Sequence, residues 1–407
     1  MPSMALLGAR SRLSGDVCPI TDLVGDARIV AIGENNHHIR EFGELRARVL
    51  RRLVEDHGFT VLGFESGFAE GDLVQRWLHG GPGGVAEIAR DGFTFTLGDA
   101  PEIHEMLTWL RAHGGVDYSG LDLPSSGGSP LPALRFVQEY LREVDPDLLP
   151  LVEAAISATE PYAGVSNAVS PGRYAAMTIS ARDAATTALT TLVAYLRALA
   201  PVHRQRDEGP RQTIAEHHAI GAFRIDAHLR ELTAMASGTA PSLQSSSRDT
   251  YMAATVKLLR RLHGDGVKIV LMVHNGHLQR SLFSPAPGMT FPPAGMHLAE
   301  EFGDEYFALG LTAGAGTTTG LAPDDSERLG FRVFRQELPP LAEGSVEAAL
   351  EGAGSCVVDL RQDRASGEPG PSSIRHAHMF TPVDVVQAFD ALVYLPTMSA
   401  SSHVPTA

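Results

Sequence analysis

Apolar positions near the start of the chain change their period in a telling order. Ile29-Val30-Ala31-Ile32 is a continuous apolar run of strand length and mostly β-branched. It breaks at the polar stretch Gly33-Glu34-Asn35-Asn36-His37-His38. From Phe42 onward apolar residues recur at steps of three and four, through Leu45, Val49, Leu50, Leu53 and Val54, which predicts a helix. Gly58 supplies its stop, and a second apolar run, Val61 to Phe64, ends on Glu65. Strand, helix and strand in this order form a β-α-β unit, whose parallel strands end on the same edge of the sheet. Glu34, His37 and Glu65 are therefore expected on one rim, the rim on which open α/β sheets bind ligands.

The rest of the chain repeats this alternation around one long exception. Residues 1–26 read as turns with one short helix. A helix over 69–79 ends in the loop Gly80-Gly81-Pro82-Gly83-Gly84, and Ile103, Met106, Leu107 and Leu110 mark another helix. Tyr118 to Leu121 reads as a third strand ending on Asp122, and Pro124 to Pro130 reads as a linker. From 131 to 263 the pattern is helical throughout. Val267 to Val273 is the strongest strand and ends on His274-Asn275-Gly276-His277, read as a loop. A helix near 295–302, a strand from Tyr306 to Leu311, short strands at 331–335, 355–359 and 389–394, and a Gly/Pro/Ser loop at 362–374 complete the chain. The predicted fold is α/β: a mostly parallel sheet with helices on both faces and an inserted all-helical subdomain forming a cleft. Residues 1–130 and 264–397 make the core, 131–263 the cleft wall or lid, and 398–407 a disordered tail.

Composition narrows the function class. Of 407 residues, 33 are Lys or Arg and 48 are Asp or Glu, for a net charge of −15. That argues against a general nucleic-acid binder, which needs a basic face. No stretch approaches the ~20 apolar residues of a membrane span. Cys18 and Cys356 lack metal spacing and suit a reducing compartment, so a cytoplasmic protein acting on a small molecule is expected.

Four predicted strand ends carry ionisable residues: Glu34 with His37, Glu65, Asp122, and His274 with His277. A carboxylate beside an imidazole raises its pKa and orients its ring, which suits a general base for water. Each residue also has a plainer reading. Asn35 and Asn36 serve as turn and cap residues, Arg40 and the pair Arg248-Asp249 as exposed charges, and His38, His217 and His218 as ordinary polar residues. Arg46, in the first turns of its helix, is placed to reach Glu34 or a substrate anion. His274-x-x-His277 with His37 could hold a divalent ion, yet the pair is three apart after a strand, unlike the helical His-Glu-x-x-His of zinc proteases. No metal and no cofactor is expected. The chain also lacks a Gly-x-Ser-x-Gly elbow, a P-loop and a dinucleotide fingerprint.

Gly33-Glu34-Asn35-Asn36-His37-His38-Ile39-Arg40-Glu41-Phe42 resembles the Gly-Glu-Ala-Thr-His-Gly-x-x-Glu-Phe signature of the erythromycin esterase family. Gly58 to Glu65, Trp109-Leu110-Arg111, Gly120-Leu121-Asp122, Arg248 to Ala253, Lys268 to His277, His297-Leu298-Ala299, Tyr306 to Gly310 and Phe389 to Val393 resemble its further blocks, in order. Asn35-Asn36 stand where the family has Ala-Thr, His38 where it has Gly, and Thr255 where it has Asn. The resemblance implies an α/β core with a helical subdomain, and water attack on an ester or lactone without a serine intermediate. His37 would be the base, with Glu34, Glu65, Arg46, His274 and His277 around the water and the carbonyl. Asn35, Asn36, His38, Asp122 and Arg248 would face the substrate. The expected function is an esterase acting on a macrolide-like natural product, as in antibiotic resistance. The alternative is a biosynthetic enzyme using the same acid-base set for an elimination, cyclisation or epimerisation. A binding protein on a retained fold is disfavoured, because a buried charged cluster is costly to keep.

Overall fold

Thirteen strands order the chain in this computed structural model, which describes residues 10–13, 15–207, 209–367 and 369–406. They are β1 (Arg10–Arg12), β2 (Ile29–Ile32), β3 (Val61–Gly67), β4 (Asp117–Asp122), β5 (Ile269–Met272), β6 (Phe283–Ala286), β7 (Met289–Phe291), β8 (Tyr306–Pro323), β9 (Phe331–Glu337), β10 (Cys356–Asp359), β11 (Ser373–His376), β12 (Met379–Pro382) and β13 (Ala391–Met398). Nine of them build one sheet in the order β1-β10-β13-β8-β2-β5-β3-β4, with β9 paired to the far half of β8. From β13 across to β4 every neighbouring pair is parallel, whereas β1, β10 and β9 pair antiparallel. β6-β7 and β11-β12 are separate hairpins.

The parallel strands are apolar at nearly every position because both faces of the sheet are covered. Val30, Ile32, Leu62, Phe64, Val270 and Met272 join one buried cluster, with Phe42, Leu45, Val49, Leu50 and Leu53 of the helix Arg40–His57. Ile29, Ala31, Val61, Ile269 and Leu271 join the opposite cluster, with Met252, Val256 and Leu259 of the helix Ser247–His263. Gly58 ends the first of these helices in the left-handed conformation, φ 72°.

Between β4 and β5 the described chain is helical. Ala133, Leu134, Val137, Leu189, Leu192 and Ala219 form a core of their own. The last helix of the expected 131–263 segment, Ser247–His263, belongs instead to the sheet face. His217 and His218, read as ordinary polar residues, are buried: His217 Nε2 lies 2.9 Å from Thr255 Oγ1, and His218 stacks on Phe136. Burial pushes both down to about 3, so both are neutral at neutral pH.

Four sequence expectations are corrected here. Pro124 to Pro130 is no linker: Pro124–Gly127 is a buried 3₁₀ turn, with Ser125 and Ser126 left-handed at φ 47° and 40°. Gly, Pro and Ser mark a tight buried turn as readily as a tether. Residues 399–406, expected to be disordered, fold back on the loop after β2 and the helix that follows it, through Ser401 N–H to His38 O (2.8 Å) and Ser399 N–H to Glu41 Oε2 (2.7 Å). Ala407 lies outside the described residues. The helix Arg361–Ser366 runs into the expected 362–374 loop. Asn275–Leu278 is one helical turn rather than a loop.

Candidate active site

The register of the parallel strands places the site. Ile32, Met272 and Phe64 lie level on β2, β5 and β3, so the residues that follow them reach one rim together. On β3 the three steps from Phe64 to Gly67 span only two on β4, from Gly120 to Asp122. Such a bulge re-aims side chains, and Glu65 lies inside it.

Glu34 follows β2 and is buried. Its Oε1 accepts from Arg46 Nη1 at 2.7 Å and from His37 Nδ1 at 2.9 Å. Burial pushes this carboxyl up, but Arg46 and His37 outweigh burial and hold it below its ordinary range, ionised. His37 must therefore carry its proton on Nδ1, which leaves Nε2 turned outward, 3.8 Å from Glu65 Oε1. Burial lowers the affinity of this imidazole for a second proton. The bond to Glu34 and the charge of Glu65 raise it by more, so His37 titrates above its ordinary 6.5. Its side chain is 24% exposed, against 2% for Glu65 and 7% for Glu34.

Glu65 is the hub of the second half. Its Oε1 accepts from Arg248 Nη2 at 2.9 Å and meets His277 Nε2 at 3.3 Å, while its Oε2 accepts the His274 N–H at 2.6 Å. Burial alone would neutralise it, yet His277, His37 and Arg248 hold it well below the carboxylate range. Arg248 also gives Nε at 3.0 Å and Nη2 at 2.7 Å to Asp122 and lies 5.5 Å from the Phe95 ring. His277 is held between Glu65 and Asp249, with Nδ1 2.7 Å from Asp249 Oδ1. Against the cost of burial, these two carboxylates push it up to about 10, so it is an imidazolium at neutral pH.

His274 stands between the histidines as a neutral ring. Its Nδ1 accepts from the Gly276 N–H at 3.0 Å, which leaves the proton on Nε2, 2.9 Å from the Asn35 carbonyl. Burial and the neighbouring imidazoles hold it well below 6.5.

The structure thus brings Glu34, His37, Glu65, Asp122, Arg248, His274 and His277 together. Several expected roles change. Arg46 takes the first of its two expected partners: it is buried beside Glu34, 5.3 Å from the Phe64 ring, and orients that carboxylate. The nitrogens of His274 are both engaged by backbone, so this ring positions the Asn35 loop. Asp122 is fully buried and holds Arg248. Asn35 is buried, with Nδ2 at 3.4 Å from Thr312 Oγ1. Asn36 gives Nδ2 to Thr318 Oγ1 (2.8 Å) and Thr319 O (2.9 Å), and its Oδ1 accepts the His37 N–H at 3.0 Å. These two asparagines fasten the loop to β8 rather than line a pocket. His38, left-handed at φ 59°, turns toward Thr96 and His403, and burial pushes it down to about 3.

Two residues escaped sequence reasoning. Asp249, read as half of an exposed pair, is buried and orients His277. Ser246-x-x-Asp249 spells a capping box, a signal that places Asp249 in the first turn of a helix. His376, at the end of β11, stands with its ring 4.5 Å from that of His274. Nothing in its sequence surroundings marks it. Backbone strain gathers in the same region. The non-glycine residues with positive φ, among those described, are His38, Phe95, Thr96, Ser125, Ser126 and Ala377. All of them belong to segments that carry or touch this cluster, where strained conformations commonly persist. Among the described residues no group of three or more His, Cys, Asp or Glu side chains is arranged to hold a metal ion.

Comparison with known proteins places the chain as a whole. The erythromycin esterase family model matches residues 54–398. The chain is 30% identical to erythromycin esterase type II of Escherichia coli over 396 residues, 96% of this chain and 94% of that one. It is 28% identical to erythromycin esterase type I of Escherichia coli over 394 residues, 95% and 94% of the two chains. Among solved structures, a mutant of the erythromycin esterase EreC in its open conformation superposes with a TM-score of 0.84 at 26% identity, covering 95% of this chain and 94% of that one. A protein from Bacillus cereus shares the fold, with a TM-score of 0.75 at 20% identity over 98% and 95%. With the family match spanning most of its length and both curated relatives aligned nearly end to end, the chain belongs to the erythromycin esterase family.

Proposed function

We propose that this protein hydrolyses an ester or lactone of a macrolide-like natural product, with water activated by His37 and no covalent enzyme intermediate. The observation that carries this reading is the state of His37. Its Nδ1 is fixed on ionised Glu34, and its Nε2 lies 3.8 Å from Glu65 Oε1, beyond hydrogen-bond reach. In its neutral form that nitrogen takes a proton from water as the water oxygen adds to the carbonyl carbon. When the tetrahedral intermediate collapses, the carbonyl–alkoxy bond breaks and the His37 imidazolium returns its proton to the leaving alkoxide. The names of the aligned relatives support the substrate class, and substrate choice is assigned to the helical segment after β4.

A single turnover in heavy-oxygen water tests the route. Incubation with erythromycin should give a ring-opened acid carrying one heavy oxygen, with no label in peptides containing Glu34 or Glu65. Label in either glutamate would mean that a carboxylate attacked the carbonyl, and would overturn the direct-water route. A product of unchanged mass would point instead to the non-hydrolytic reading.

A further inference from the structure

Both nitrogens of His274 are held by backbone. Both nitrogens of His277 face carboxylates. Arg248 spends Nε and Nη2 on Asp122 and Glu65. His37 spends Nδ1 on Glu34. Among the described residues, the nitrogens of these groups least engaged by the protein are His37 Nε2, 3.8 Å from Glu65 Oε1, Arg248 Nη1 and the two ring nitrogens of His376. Esterolysis needs one group to take a proton from water and another to meet the charge that grows on the carbonyl oxygen. His37 Nε2 fills the first role, and His376 is the remaining imidazole.

His376 is also held with unusual firmness for a residue on a hairpin. Its ring packs edge-on against His274, 4.5 Å between centroids, and tilts against Phe283 at 5.6 Å. Phe283 is itself seated on the Cα of Gly276, where an added Cβ would fall 2.6 Å from its ring. On one side of His376, Arg375 is buried, with Nε on Ala313 O (3.2 Å) and Nη2 on Gly314 O (3.0 Å), and its own amide donates to Glu347 Oε1 (2.9 Å). On the other side, left-handed Ala377 gives its N–H to the Asn35 carbonyl at 2.9 Å. That same carbonyl accepts from His274 Nε2. One oxygen in the loop between Glu34 and His37 therefore ties the His376 turn to the catalytic loop. Such fixing of a side chain whose own polar atoms meet no protein partner is the mark of a preorganised donor.

We propose that His376 is a catalytic residue whose imidazole N–H bonds the carbonyl oxygen of the ester and stabilises it as it becomes an oxyanion. The proposal rests on the esterase reading above and adds the group that meets the developing charge. No proton changes hands at this residue: the N–H donates a hydrogen bond that strengthens as the carbonyl π-electrons move onto oxygen, and relaxes when they return. Burial, with the charges of His277 and His37, pushes His376 down to about 4. A neutral ring suits a donor to oxygen and does not compete for Glu65.

The test uses the full chain with His376→Ala and His376→Asn, assayed on erythromycin and on p-nitrophenyl butyrate, with melting curves to confirm folding. The alanine variant should lose about 10²–10³-fold in kcat, the effect of deleting one oxyanion donor, with KM little changed. The asparagine variant, which keeps an N–H, should recover part of that loss. The acidic limb of the pH–rate profile, set by His37, should not move in either. Retention of wild-type kcat by His376→Ala would overturn the assignment while leaving the esterase reading in place. So would a loss that tracks a lowered melting temperature and is not relieved by asparagine. Failure of the wild-type protein to hydrolyse either compound would overturn the esterase reading itself, and this assignment with it.

Discussion

Replacing His37 with alanine is expected to lower kcat by about 10²–10⁴-fold or more while the protein folds normally. The side chain is part exposed on the rim, so its removal opens no sealed core cavity. Glu34 loses one partner and keeps the other, Arg46 at 2.7 Å, so its charge stays compensated. What disappears is the outward nitrogen. Imidazole added to the buffer should restore part of the turnover, because the space left behind opens to solvent between Glu34 and Glu65. Near wild-type turnover by the alanine variant, on a substrate the parent hydrolyses, would remove His37 from the reaction.

Arg248→Met is expected to be the most damaging single change to stability at the rim. The guanidinium is mostly buried and neutralises Asp122, which is wholly buried, together with Glu65. Breaking a buried ion pair from one side typically costs about 3–5 kcal/mol, because the remaining charge is stranded. The midpoint of denaturant unfolding should fall accordingly. Glu65 would then attract His37 and His277 without competition, so His37 should titrate higher still and activity at neutral pH should drop. A second change, Asp122→Leu in the Arg248→Met background, removes the stranded charge. It should recover much of the stability and little of the activity. Recovery of both together would mean that Arg248 serves the fold alone.

The parts legible in the sequence were those written by hydrophobic period. The runs Ile29 to Ile32, Val61 to Phe64 and Val267 to Val273 announce adjacent parallel strands, because strands covered on both faces cannot alternate. Placing Glu34, Glu65 and His274 on one rim then follows from parallel direction. The direction in which each side chain turns was not legible. His38 and Asp122 sit at the expected positions along the chain, yet each is spent on a protein partner, whereas the reach of Arg46 to Glu34, twelve residues back, was expected. Such pairing is fixed by contacts between segments distant in sequence, as when Asp122 meets Arg248. His376 was illegible for the same reason, since it reaches the site from a hairpin near the C-terminus. Composition misled at Pro124 to Pro130 and at residues 399–406, where small polar residues form packed turns. A buried turn and a solvated one draw on the same residues, and burial is decided by what lies above them.

The central claim is that His37, held and charged by Glu34, takes the proton from water. The pH dependence of kcat/KM for the wild-type protein and Glu34→Gln tests it most directly. The base must be neutral to act, and Glu34 and Glu65 raise its pKa. Activity should therefore rise with pH through an acidic limb above 6.5, the ordinary histidine value. Glutamine keeps an acceptor for Arg46 and His37 but not the charge, so the limb should move to lower pH in that variant as the maximal rate falls. An acidic limb that stays in place when the Glu34 charge is removed would contradict the claim.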